Sequence, residues 1–115
     1  MSDLHEMNCE PCRVGSPTVT DAERARYTGE VPQWEVVEVD GVPKLKRKFR
    51  FRNFKSALTF TNLVGEIAEL EGHHPSILTA WGGVTVSWWT HKIKGLHRND
   101  FIMAARTNRL YSSES

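Results

Sequence analysis

The most restrictive feature of this sequence is one long helical stripe held between two hairpin signals. Phe60, Leu63, Val64, Ile67 and Leu70 recur at spacings of three and four, which puts them on one face of a helix over 54–71. Asn53 stands before it as an N-cap, Gly72 follows as a stop, and Pro75 cannot continue a helix. Upstream, Asp40-Gly41 separates two strand-like runs, Trp34 to Val39 and Lys44 to Arg52, with Pro43 expected to lengthen the turn. Downstream, Gly82-Gly83 separates Ile77 to Trp81 from Val84 to His91. A first helix opens at Thr20, with Glu23 three residues later completing a capping box, and ends near Tyr27 with Gly29 in the left-handed region. A last helix runs from Arg98 to Arg109, with Asp100 and Arg109 at the ends that suit their charges. One apolar stripe per helix and one apolar face per hairpin have to be buried against each other. The order α-β-β-α-β-β-α therefore predicts an α+β fold, a four-stranded antiparallel sheet with the helices packed on one face. The opposite face is left bare, which favours self-association.

A chain of 115 residues suits one domain over 19–111, with a loose N-terminal arm over 1–18 and a short tail over 112–115. A net charge of +1 supplies no global field toward nucleic acid or membrane. No stretch approaches the roughly 18 apolar residues of a membrane span, and Met1 to Glu10 lacks a signal-peptide core, so a cytoplasmic location is expected. Cys9 and Cys12 form a lone Cys-x-x-Cys in the polar arm, half of a structural zinc site at most, and no metal site is expected.

The chemistry lies in the histidines. His73 and His74 stand where the long helix ends, in Glu-Gly-His-His-Pro, and His91 closes the last strand run, in Trp-Trp-Thr-His. Both are rims of a sheet, where side chains distant in sequence converge. A helix C-terminus carries partial negative charge that favours an imidazolium, and Pro75 holds His74 on an extended segment. Histidine is the side chain best matched to moving protons near neutral pH. Asp100 is placed to orient one of the rings. A polar turn and a solvated strand end would account for the same histidines without chemistry, and the residues alone do not name a substrate.

Glu71-Gly-His-His-Pro75, then Trp89-Thr-His91, then Gly95-Leu96-x-x-x-Asp100 resemble, in order and spacing, the signature of the pterin-4a-carbinolamine dehydratase family. Members of that family are also known as a dimerisation cofactor of a homeodomain transcription factor. The resemblance covers most of residues 20–110. It implies a lyase that dehydrates a 4a-hydroxytetrahydropterin to a quinonoid dihydropterin, with no metal or organic cofactor. It implies His73, His74, His91 and Asp100 as catalytic residues. It further implies a pterin pocket lined by His73 to Pro75 and by Trp89, Thr90, His91, Lys92 and Ile93. The implied partners are the pterin and further copies of the chain in a homodimer or homotetramer, with coupling to an aromatic amino-acid hydroxylase. His97 stands where family members usually carry Ser or Thr, a weaker cap that loosens the expected seating of Asp100.

Two other classes of function compete. An interaction scaffold or transcriptional cofactor without catalysis would have no need of all three histidines. An RNA-binding module is favoured by the run Lys44 to Lys55 with its interleaved Phe49, Phe51 and Phe54. Alternation there places Lys46, Lys48, Arg50 and Arg52 on one face and Phe49 with Phe51 on the other, which is an ordinary amphipathic strand.

Overall fold

The computed structural model describes residues 18–114, with side chains through Tyr111. Cys9, Cys12 and all but the end of the expected arm lie outside the described residues. Helix α1 (Asp21–Glu30) leads into β1 (Glu35–Val39) and β2 (Val42–Arg50). Helix α2 (Phe54–Glu71) is followed by β3 (Ser76–Ala80), β4 (Gly83–Trp88), a 3-10 turn (His91–Ile93) and α3 (Arg98–Glu114). The strands form one antiparallel sheet in the order β1-β2-β4-β3. This is the α+β arrangement predicted from the sequence.

Alternation decides which side of the sheet is covered. Leu45 pairs with Trp88 and Phe49 with Val84, and these four, with Val86, turn one face toward Phe60, Val64 and Ala68 of α2 and Phe101 to Ala105 of α3. Each such side chain contributes about 1.5–3 kcal/mol on burial, so a one-residue slip that turned Leu45 and Phe49 outward would be prohibitive. Lys46, Lys48 and Arg50 alternate to the uncovered face. Arg47 goes inward: its guanidinium lies 4.3 Å over the Phe49 ring and donates to Asn108 Oδ1 at 2.6 Å, an oxygen shared with the Trp34 indole N–H. Burial pulls its pKa below the ordinary value, yet a guanidinium stays charged near neutrality.

The local signals act largely as read. Thr20 and Glu23 form the capping box, and the Thr20 backbone N–H holds the Glu23 carboxyl below its usual range. That contribution is present above the unfolded carboxylate pKa and fades as pH falls through the lowered folded value. Asp40 and Gly41 take positive φ of 52° and 79° in a two-residue turn closed by Val39 and Val42.

Several boundaries differ from expectation. Pro43 does not lengthen the turn; it sits in β2 opposite Glu38. That is a non-hydrogen-bonded position of the hairpin, where its missing N–H points away from β1 on a stretch β4 does not reach. Gly29 stays helical, and α1 ends instead at Glu30, followed by the C-cap Val31, which is buried and donates its N–H to the Thr28 carbonyl. The second turn is Trp81-Gly82, with Gly83 already paired in β4. A Cβ on Gly83 would stand 3.0 Å from the Phe49 carbonyl oxygen, a tight contact that favours glycine where β2 and β4 approach. Leu70 is 79% exposed rather than part of the stripe, because Ala57, Phe60, Val64 and Ala68 form the buried face. Phe51 lies past the end of β2 but still packs its ring 5.2 Å from Phe60. Helix α3 runs beyond Arg109 to Glu114, held by Tyr111, which rests on Phe49 and donates to the Arg50 carbonyl.

Candidate active site

The end of α2 delivers the first two histidines. Gly72 adopts φ 63° and ψ 30°, its N–H bonds to Ala68 and Glu69 carbonyls, and the His73 N–H reaches the Ala68 carbonyl at 3.1 Å. This is a Schellman ending, which turns the chain sharply off the helix axis. Replacing Gly72 by alanine is expected to cost about 1–2 kcal/mol, the penalty of a Cβ in the left-handed region. Urea unfolding checks this, and an unchanged midpoint would show that the turn does not depend on glycine.

His73 emerges into the protein. It is 9% exposed, its ring lies parallel to the Trp88 indole with centroids 5.7 Å apart, and its Nε2 meets Asp100 Oδ1 at 2.6 Å. Asp100 is fully buried in the first turn of α3. Its other oxygen, Oδ2, accepts from the Thr90 hydroxyl and from the His97 backbone N–H, both at 2.8 Å. A buried carboxylate without partners is very costly; here groups from three segments meet it. His97 does not loosen this seating. Its ring Nδ1 accepts the Asn99 N–H at 3.1 Å while its own N–H bonds Asp100, so it caps α3 as a Ser or Thr would.

His74 points outward, its side chain 57% exposed, with Nε2 against Glu69 Oε1 at 2.6 Å. Such an exposed pair adds at most about 1 kcal/mol. His91 is not on β4, which stops at Trp88. Thr90 and Gly95 bridge to each other and Lys94 takes φ 49°, folding 90–95 back so that His91 falls in the 3-10 turn. The His91 Nε2 lies 3.1 Å from the His74 carbonyl oxygen. A carbonyl only accepts, so this nitrogen carries the hydrogen and Nδ1 the lone pair of the neutral ring. The His91 ring stacks on Trp89 at 4.4 Å, and the Lys44 ammonium lies 3.8 Å from the centre of the same indole.

The two site segments foreseen from the sequence are thus brought together, tied by the His91–His74 bond and by Asp100 between His73 and Thr90. Pro75 and Ile93 are half-buried in them, and Lys92 is exposed. The Thr90 hydroxyl is turned inward to Asp100, and the residue is 2% exposed. Glu69 was not foreseen: it stands five residues before its partner, a spacing that no helical pairing rule flags. Among the described residues, no three His, Cys, Asp or Glu side chains converge as a metal-binding group.

A family model described as pterin 4 alpha carbinolamine dehydratase matches residues 17–110. The chain belongs to the pterin-4a-carbinolamine dehydratase family. A relative from Syntrophotalea carbinolica, named "Putative pterin-4-alpha-carbinolamine dehydratase", is 60% identical over 110 residues, 96% of this chain and 98% of that protein. One of the same name from Microcystis aeruginosa is 49% identical over 115 residues, covering 100% of this chain and 99% of its own. Among solved structures, a transcriptional coactivator/pterin dehydratase from Brucella melitensis superposes with a TM-score of 0.73 at 29% identity, covering 82% of this chain and 98% of that one. A pterin dehydratase-like protein described as a RuBisCO assembly factor in the alpha-carboxysome shares the fold, with a TM-score of 0.59 at 21% identity over 69% of this chain and 89% of that one.

Proposed function

We propose that this member of the pterin-4a-carbinolamine dehydratase family removes water from a 4a-hydroxytetrahydropterin to give a quinonoid dihydropterin. The observation that carries the reading is the buried His73–Asp100 pair, set beside a second imidazole whose Nε2 is also engaged. With Asp100 Oδ2 already accepting two hydrogens, Oδ1 accepts the third from His73 Nε2–H. His73 and His91 are then left with Nδ1 as the exchangeable position.

The reaction consists of two proton movements. One imidazolium protonates the C4a hydroxyl, the C4a–O bond breaks, and the N5 lone pair forms the C4a=N5 double bond. The other imidazole removes the N5 proton. His73 and His91 exchange these protons; His74, steadied by Glu69, binds and orients the pterin with Pro75, Trp89, Lys92 and Ile93 around it. The reading assigns no metal or organic cofactor, since general acid–base catalysis, worth about 10²–10⁴-fold, suits a reaction that already proceeds unaided.

Stopped-flow ultraviolet absorbance of 4a-hydroxytetrahydropterin decay tests this. The protein is expected to accelerate the decay well above buffer, and decay at the buffer rate would refute it. In the same assay His74→Ala is expected to raise KM by about tenfold with little change in kcat, the pattern of a lost binding contact. A fall in kcat alone would instead place His74 among the proton carriers.

The reading extends to a homodimer or homotetramer, coupling to an aromatic amino-acid hydroxylase and a cytoplasmic location. Among the described residues no helix is long and apolar enough to cross a membrane. A second reading, an interaction scaffold, draws on the coactivator name of the Brucella melitensis relative. A stoichiometric partner copurifying with a protein that has no dehydratase activity would favour it.

A further inference from the structure

We infer that Thr90 is a positioning residue, whose hydroxyl clamps the Asp100 carboxylate and thereby keeps the hydrogen of His73 on Nε2 and its lone pair on Nδ1. The inference rests on the dehydratase reading for its catalytic consequence, although the clamp itself is a matter of geometry.

A carboxylate at the end of a short side chain turns easily, because its last torsion is broad. Here the turn is blocked. Oδ2 takes the Thr90 hydroxyl and the His97 N–H, each at 2.8 Å, which leaves Oδ1 aimed at His73 Nε2 at 2.6 Å. Thr90 is itself tied down at its backbone. Its N–H reaches the Gly95 carbonyl at 2.9 Å, its carbonyl accepts from Ile93 and Gly95, and it is 2% exposed. The imidazole plane is fixed from the other side by the parallel Trp88 indole, whose N–H is anchored on Thr107 at 3.1 Å. The Thr90 hydroxyl and the His97 N–H thus share the hold on the carboxylate, while Trp88 holds the ring. The same bond turns the hydroxyl inward, so it acts through Asp100 rather than on the pterin.

Thr90→Val keeps the shape and deletes the hydroxyl; Thr90→Ser keeps the hydroxyl and deletes the methyl. Val is expected to lower kcat by about tenfold with KM unchanged, as for a lost hydrogen bond to a charged group. Ser is expected to stay within about twofold of the parent, because it keeps the hydroxyl that makes the bond. Long-range proton–nitrogen NMR should show His73 as the Nε2–H tautomer in the parent and in Ser, and as a mixture in Val. Parent kcat and an unchanged tautomer in Val would overturn the inference, as would equal kcat losses in Val and Ser, which would point to packing. The NMR comparison needs no turnover. A parent that fails to dehydrate 4a-hydroxytetrahydropterin therefore removes the dehydratase reading while the clamp is still judged by the tautomer.

Discussion

Replacing His73 by alanine is expected to lower the rate of 4a-hydroxytetrahydropterin dehydration by about 10²–10⁴-fold, the contribution of one general acid or base. Three features single this ring out. It is the most enclosed of the three histidines, it is held flat by Trp88, and a fully buried carboxylate stands behind its Nε2. A ring so held reaches its proton-transfer geometry with little reorganisation. The substitution also leaves Asp100 Oδ1 without its partner, so a stability loss of about 1–3 kcal/mol should accompany it. Stopped-flow kinetics under saturating substrate, with circular dichroism to confirm folding, separates the two effects. A folded variant turning over within twofold of the parent would remove His73 from the chemistry.

The second large effect is expected at Asp100. Alanine there removes the acceptor toward which the Thr90 hydroxyl, the His97 N–H and the His73 ring all point. Each buried donor left without its acceptor costs about 1–3 kcal/mol, because it stays desolvated and unpaired. Since Asp100 also stands in the first turn of α3, whose Phe101, Ile102 and Met103 are in the core, the loss is felt at the start of a main helix. Urea unfolding should show the drop, together with dehydration at least as slow as that of His73→Ala. Asp100→Asn should recover part of the stability, since its oxygen still accepts from Thr90 and His97, while an NH₂ facing His73 Nε2 would draw the ring hydrogen to Nδ1. Equal stability of parent and Asp100→Ala would mean that the cluster around this carboxylate is not what holds the site together.

The contrast between these residues and the rest shows what the sequence reveals and what it conceals. Helix α2 was legible to its bounds, Phe54 and Glu71, because a stripe, an Asn53 cap and a Gly72 stop are all local signals. The Asp40-Gly41 turn was legible for the same reason. The fold of 90–95 was not, because it depends on a bridge between Thr90 and Gly95 and on a lysine, not a glycine, in the left-handed region. His91 therefore read as a strand residue. Asp100 was visible as a candidate, but its seating was misjudged, since the capping use of His97 Nδ1 follows from a ring orientation that no spacing encodes. Glu69 and Lys44 reach the site through contacts with His74 and Trp89 that only the tertiary structure creates.

The most direct measurement is a crystal structure of the protein with a bound 7,8-dihydropterin. The ring is expected to lie between His73–His74–Pro75 and His91, with imidazole nitrogens within hydrogen-bond distance of the N5–C4a edge. A pterin seated instead in the shallow groove along Thr61, Gly65 and Ile77, or in the hollow lined by Thr20, Tyr27 and His97, would contradict the assignment of these imidazoles as its proton carriers.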